Sequence, residues 1–132
     1  MRRFIPAILI LIPVMLIGVS AYSRGGGQNP ANEKAVVELT DSTDVSGVVL
    51  QGKYIFEHDY ARKLRGEPCM VVYKLTNGQQ GEMVTAYHCQ PVERPQARAT
   101  VVTVGLTAQP GIFKLVEVQF AGSTVGHRLV GE

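Results

Sequence analysis

Apolar and polar residues alternate with a period of two over much of the chain that follows residue 34. This period places successive side chains on opposite faces of a β-strand, whereas the three-and-four spacing of amphipathic helices is almost absent. The pattern predicts seven strands: Ala35–Thr40, Val45–His58 with a break near Gly52, Met70–Thr76, Glu82–Cys89, Arg98–Leu106, Ile112–Ala121 and Thr124–Val130. Short strands between clusters of turn residues predict an all-β domain built as a small antiparallel sandwich or barrel.

One short helical turn is predicted between the second and third strands. Asp59 can cap its first residue, and Tyr60 and Leu64 lie four apart on one side. Gly66 and Pro68 then end it. Such a short helix is not stable alone, so we expect it to pack on the sheet.

The third and fourth strands are predicted to form a hairpin around the loop 77–81, whose glycines suit a tight connection. If the loop is centred on its middle residue, Thr76 faces Glu82 and Cys69 faces Cys89. Directly opposed strand residues have Cα atoms about 4.5–5.5 Å apart, a separation that a disulfide can bridge. The pattern therefore predicts a Cys69–Cys89 disulfide, worth about 3 kcal/mol for a closed loop of roughly 20 residues.

The first 21 residues have the pattern of an export segment. Arg2 and Arg3 precede sixteen uncharged residues, Phe4 to Val19, and Val19-Ser20-Ala21 fits the small-x-small pattern of a cleavage site. Sixteen residues are short for a hydrocarbon core of about 30 Å, which needs roughly 20. A cleaved signal peptide is therefore favoured over a retained membrane anchor. Either alternative predicts a domain that is periplasmic, secreted or anchored on the outer side of the cytoplasmic membrane.

Residues 22–34 are polar and rich in glycine, which is typical of a flexible linker and leaves residues 35–132 as one β domain. Without Arg2 and Arg3, 11 of the 13 basic residues remain, against 11 acidic residues. A neutral domain has no bulk attraction for nucleic acid or anionic lipid. We therefore expect no nucleic-acid partner, and membrane contact only through an uncleaved N-terminal segment.

The cysteines and histidines offer an alternative to the disulfide. The histidines are His58, His88 and His127, and His88 adjoins Cys89. Thiolates and imidazoles together suit zinc or copper. Alternation directs His88 and Cys89 to opposite faces of a strand, so the predicted metal ligands are Cys69 and Cys89 with His58 or His127.

A catalytic site is not predicted. Glu57 and His58 point to opposite faces of a strand, and Asp59 is explained as the helix cap. No serine lies in a G-x-S-x-G context. The sequence therefore predicts a protein that is not an enzyme and that needs no cofactor.

Four short strings resemble motifs of short exported bacterial proteins of unknown function. They span about residues 46–130: Tyr-Ile-Phe-Glu-His-Asp at 54–59, Arg-Gly-Glu-Pro-Cys at 65–69, Tyr-His-Cys-Gln-Pro at 87–91 and Gln-Phe-Ala-Gly-Ser at 119–123 before His127. The resemblance implies no activity, and it is compatible with both a disulfide and a Cys/His metal site.

Together these patterns predict a non-catalytic exported domain, with a binding or structural role in the cell envelope or outside the cell and an unidentified partner there. A periplasmic copper- or zinc-binding protein is the main alternative. An inhibitor of secreted hydrolases is a third, because small stapled β domains can present rigid loops.

Overall fold

The computed structural model describes residues 32–131 as a β domain with one short helix. In chain order its elements are β1 (Glu33–Val45), β2 (Val48–His58), α1 (Tyr60–Leu64), β3 (Met70–Thr76), β4 (Gln79–Tyr87), β5 (Cys89–Glu93), β6 (Val101–Leu106), β7 (Ile112–Gln119) and β8 (Val125–Leu129). The predicted all-β class is confirmed. Within this range no helix has the length and apolar character to cross a bilayer. The predicted export segment lies outside the described residues.

The eight strands form one sheet that curls into a half-barrel. Its strand order is β4-β3-β2-β1-β7-β8-β5, and β6 pairs with β7 off this path. β1 and β7 run parallel, and the other pairings of the described strands are antiparallel. The outermost strands of the path, β4 and β5, are consecutive in the chain and separated by His88 alone. The sheet must therefore curl, because one short bend connects its two edges.

The β3–β4 hairpin has a tighter turn than the sequence predicted. Asn77 and Gly78 have φ angles of 52° and 74°, and Thr76 pairs with Gln79. A two-residue turn with two positive φ angles matches the right-handed twist of the flanking strands. The predicted five-residue loop and the Thr76–Glu82 pair are therefore wrong.

The sequence predicted the first turn of the domain at residues 41–44, between the first two strands, and the structure places this turn elsewhere. The polar run 41–44 belongs to β1, which bulges between Leu39 and Thr43, and the chain reverses at Ser46 and Gly47. A bulge accommodates extra residues in one strand without ending the pairing. The break predicted at Gly52 is part of the same irregularity, since Gly52, with a φ of 108°, pairs with Leu39 while β2 continues.

The short helix α1 agrees with the prediction. Asp59 is its N-cap, and the Asp59 carboxylate accepts a hydrogen bond of 3.1 Å from the backbone N–H of Arg62. The backbone N–H of Asp59 donates to the carbonyl of Cys69 at 2.8 Å. This bond ties the start of the helix to the residue that precedes β3.

The hydrophobic core is built mainly from residues of β1, β2, β3 and β7 that face each other across the curled sheet. Phe56, Met70, Val72 and Val118 have no measurable exposure, and Leu115 is 1% exposed. Phe56 pairs directly with Val72 in the ladder, so their side chains lie on one face. The functional groups described below continue this buried face to one rim of the sheet.

Candidate functional site

A row of four paired residues crosses the sheet at the rim. Glu33 on β1 pairs with His58 on β2, His58 with Met70 on β3, and Met70 with Tyr87 on β4. Side chains of directly paired residues point to the same face of a sheet. His58, Met70 and Tyr87 are buried, and Glu33 is half-buried. Polar groups thus replace the aliphatic core side chains at this rim.

The two cysteines lie beside this row, since Cys69 precedes Met70 and Cys89 follows Tyr87 after the bend at His88. Cys69 is 3% exposed and precedes β3, whereas Cys89 is half-buried and begins β5 after the bend at His88. The two Sγ atoms are 2.8 Å apart, and the cysteines are not bonded to each other.

The predicted proximity of the cysteines is therefore found, although they do not pair within the hairpin. Cys89 pairs with Leu129 of β8 instead. The bend at His88 brings Cys89 back to the end of the hairpin, next to Cys69.

His127 joins the cluster from β8, where it pairs with Pro91 of β5. Its Nδ1 lies 3.8 Å from the Cys89 Sγ, and its Nε2 lies 2.7 Å from a carboxylate oxygen of Glu33. An ionised carboxylate can only accept, so Nε2–H donates to Glu33. In the neutral ring this leaves the Nδ1 lone pair directed at the sulfurs, which is how second-shell carboxylates orient metal-binding histidines.

His58 is the most strongly perturbed histidine. Its ring stacks on that of His127 with centroids 4.1 Å apart, and within the described chain its buried Nε2 has no hydrogen-bond partner. Burial, together with the neighbouring His127, lowers the pKa of His58 from 6.5 to about 4. His58 is therefore a neutral imidazole at neutral pH, with a free lone pair as a metal requires.

Two other groups at the rim are also perturbed by burial. Desolvation, reinforced by the adjacent Cys69, raises the pKa of the Cys89 thiol well above its ordinary value. Desolvation and the two cysteines likewise raise the pKa of the Tyr87 phenol, and its buried hydroxyl has no partner among residues 32–131. Both groups are thus protonated at neutral pH unless a cation displaces the thiol proton.

The donor atoms form two overlapping sets that share His58. One comprises His58, Cys69 and Cys89, and the other comprises Glu33, His58 and His127. Within each set the ligand atoms lie within 4.8 Å of one another. In a tetrahedral zinc site with Zn–S and Zn–N distances of about 2.3 and 2.0 Å, donor atoms lie roughly 3.3–3.8 Å apart. Shifts of about 1 Å would therefore suffice to bring the first set around one ion.

A cavity of about 270 Å³ opens beside the second set of donors. Glu33, His58 and His127 form part of its wall, and Lys63 of α1 also lines it. The positive charge of Lys63 contributes to the lowered pKa of His58 and opposes the increase in the pKa of Cys89. The cavity gives solutes access to the imidazoles, and neither cysteine lines it.

Of the predicted metal ligands, the structure groups His58 with Cys69 and Cys89 in one donor set and with His127 in the other, and His127 lies 3.8 Å from the Cys89 sulfur. The structure excludes His88, which is exposed and belongs to neither donor set. Sequence reasoning missed Glu33 because it lies in the segment predicted as a linker, whereas β1 begins there. Glu33 and Val37 lie on the same face of the strand as Ala35 and Leu39. This alternation, extended back to residue 33, could have predicted that β1 begins at Glu33.

Comparisons of the chain with protein-family models, with curated proteins and with solved structures found no match.

Proposed function

We propose that this chain is a non-catalytic exported domain that binds one zinc or copper(I) ion through Cys69, Cys89, His58 and His127. The observation that carries the proposal is the convergence of His58, Cys69 and Cys89, whose donor atoms lie within 4.8 Å of one another although they come from separate parts of the chain. Buried polar groups normally have partners in a folded protein. The partnerless Nε2 of His58 is thus explained if a metal ion completes the site.

The types of donor atom restrict which metal ions the site can bind. Two thiolates and one or two imidazoles suit zinc or copper(I), whereas magnesium and calcium prefer oxygen ligands. Metal retention is therefore the function best supported, in keeping with the neutral charge predicted for the exported domain.

The second candidate is a structural domain stapled by a Cys69–Cys89 disulfide, with no metal. The Sγ–Sγ distance of 2.8 Å favours it, because a small movement brings the sulfurs to the covalent distance of about 2.05 Å. This alternative leaves the buried His58 Nε2 unexplained. We therefore rank it second.

The test is native mass spectrometry of the protein expressed from the complete sequence and purified without a histidine tag. One measurement reports cleavage after Ala21, the two thiol hydrogens and any bound ion. We expect one zinc or copper ion per chain under reducing conditions, and a loss of affinity of about a thousandfold or more in Cys69→Ser or Cys89→Ser, since a missing ligand exceeds the effect of a lost second-shell partner.

The matched control is His88→Ala, which removes an exposed histidine that is adjacent to Cys89 but belongs to neither donor set. This variant should bind metal as the unsubstituted protein does. A reduced, folded protein that takes up neither zinc nor copper(I) would refute the metal proposal. An intact mass lower by two hydrogens, with no metal, would instead support the structural disulfide.

A further inference from the structure

The two sulfurs of the proposed metal site are also close enough to react with each other. Their separation of 2.8 Å lies between two limits. A disulfide requires about 2.05 Å, and two thiolates on one tetrahedral zinc ion lie about 3.8 Å apart, given Zn–S bonds of about 2.3 Å. A displacement of about 1 Å in either direction therefore reaches one of two mutually exclusive states.

The two cysteines differ in their exposure to solvent. Cys89 is half-buried and lies at the bend between β4 and β5, whereas Cys69 is 3% exposed. An external disulfide thus meets Cys89 first, and Cys69 is placed to resolve the product. The remaining donors, His58, His127 and Glu33, belong to other strands, β2, β8 and β1.

We propose that the oxidation state of Cys69 and Cys89 gates the metal site: closing the disulfide expels the ion, and a bound ion prevents the disulfide from closing. This inference rests on the proposed metal binding and adds its regulation. The oxidant is a small external disulfide such as oxidised glutathione. An exported domain would meet such oxidants, since extracytoplasmic compartments favour disulfides.

The reaction balances as two thiol–disulfide exchanges. The Cys89 sulfur attacks the external disulfide, forms a mixed disulfide and releases one thiolate. The Cys69 sulfur then attacks the Cys89 sulfur, forms the Cys69–Cys89 bond and releases the second thiolate. Two electrons pass from the protein to the external disulfide, and the two protons or the displaced metal charge balance the two thiolates.

Metal occupancy should slow the first attack. A metal-bound thiolate shares its lone pair with the ion, and the second sulfur is held about 3.8 Å away, beyond bonding distance. Conversely, a disulfide sulfur is no longer a thiolate, which is the form that binds metals. Oxidation therefore leaves only the nitrogen and carboxylate donors, which we expect to bind zinc at least a hundredfold more weakly.

The experiment uses the full-length protein, reduced and loaded with zinc, beside the same protein reduced and metal-free. Both are treated with oxidised glutathione. A chromogenic zinc chelator, 4-(2-pyridylazo)resorcinol, reports release, and alkylation followed by mass spectrometry counts disulfides. We expect one zinc released per disulfide formed, oxidation at least tenfold slower in the loaded protein, and renewed zinc uptake after reduction with dithiothreitol.

Two results would refute the proposal that the oxidation state of the cysteines controls metal binding. One is an oxidised protein that retains zinc as tightly as the reduced protein, and the other is equal oxidation rates for the loaded and metal-free forms. Neither result affects the proposed metal binding, because zinc uptake by the reduced protein is measured first. A reduced protein that takes up no zinc removes the proposed function itself, and the gate with it. His88→Ala should behave as the unsubstituted protein in every arm.

Discussion

Two clusters of buried polar groups occur in this half-barrel, and they differ in whether they are complete. The first is the rim cluster of His58, Cys69, Cys89 and His127. The second, which we call the β7 cluster, is centred on Glu117 and Gln119. Glu117 is 7% exposed and accepts two hydrogen bonds of 3.0 Å from Arg94. The side-chain amide of Gln119 donates to the carbonyls of Pro95 and Ser123.

The β7 cluster satisfies its buried groups with the chain's own atoms. The loop 94–97 and the loop before β8 supply its partners, so the cluster fastens irregular segments to the sheet. The rim cluster, by contrast, leaves the Nε2 of His58 and the Tyr87 hydroxyl without partners in the described chain. Since an unsatisfied buried group costs about 1–3 kcal/mol, the rim is the place where a ligand adds most to the fold. The contrast separates a structural cluster from a candidate binding site.

The largest effect on stability should follow from breaking the β7 cluster. Glu117→Ala leaves Arg94 without its bidentate partner and opens a small cavity. We expect a loss of about 2–3 kcal/mol, below the roughly 3–5 kcal/mol of a fully buried pair because Arg94 keeps contact with water. Urea unfolding measures this change. Zinc affinity should change less than threefold, because Glu117 belongs to neither donor set.

The matched control is Glu82→Ala, which breaks the exposed Lys74–Glu82 pair of 2.9 Å and should leave stability unchanged within error. If Glu117→Ala weakened zinc binding as much as it weakened the fold, the two clusters would be one coupled unit.

A second prediction tests how far the rim cluster extends. Glu33→Gln removes the charge that holds His127 by its Nε2–H, while keeping the shape of the side chain. We expect zinc affinity to fall about 10–100-fold, as for other second-shell carboxylates, measured by competition with a chromogenic chelator. Glu38→Gln, also on β1 but exposed, should have no effect.

The Glu33→Gln variant also distinguishes the two overlapping donor sets. A loss as large as that of Cys69→Ser would make Glu33 a metal ligand rather than an orienting group. No loss at all would show that His127 does not need the carboxylate, and the rim cluster would then end at the histidine.

The sequence predicted the strands well wherever alternation was uninterrupted. β3 and the short helix α1, capped by Asp59, agree with the prediction because local patterns determine both. Errors are concentrated where irregularities absorb residues, as in the bulge between Leu39 and Thr43. The strand β5 was missed since its Gln90-Pro91 pair is typical of a turn. Pro91 is tolerated there because β5 is the last strand of the path.

The sequence was sufficient to propose which residues belong to the candidate site, but not to predict how the strands bring them together. The four proposed metal ligands were chosen from residue chemistry, and His88 was set aside by strand alternation, whereas the structure places His88 in the bend between β4 and β5. The closeness of Cys69 and Cys89 was predicted from a hairpin register, whereas the structure obtains it from a bend between two strands that pair with different partners. A long-range pairing such as β5 with β8 has no local signature, so Glu33 and His127 could not be placed side by side from the sequence.

The smallest predicted effect is a loss of stability at low pH. It tests whether His58 is a buried, neutral imidazole in the metal-free protein. The pKa of His58 is lowered from 6.5 to about 4 by burial and by His127, while Glu33 and Asp59 oppose the shift and Lys63 adds to it. The unfolded chain therefore binds a proton at this residue more readily than the folded chain does. The stability that neutral His58 allows is fully present above pH 6.5 and is lost as the pH falls toward 4.

Since the open cavity keeps His58 partly in contact with water, we expect a loss of about 1–2 kcal/mol, less than the shift alone would give. The measurement is urea unfolding of the chelator-treated protein at several pH values, compared with His58→Gln. Carboxylates titrate in both proteins, so their contribution cancels in the difference, and His88→Gln controls for the loss of a surface histidine. A difference that stays flat between pH 6.5 and 4 would mean that His58 is satisfied in the metal-free fold. The rim cluster would then be as complete as the β7 cluster, and the case for a missing ligand would lose its main physical support.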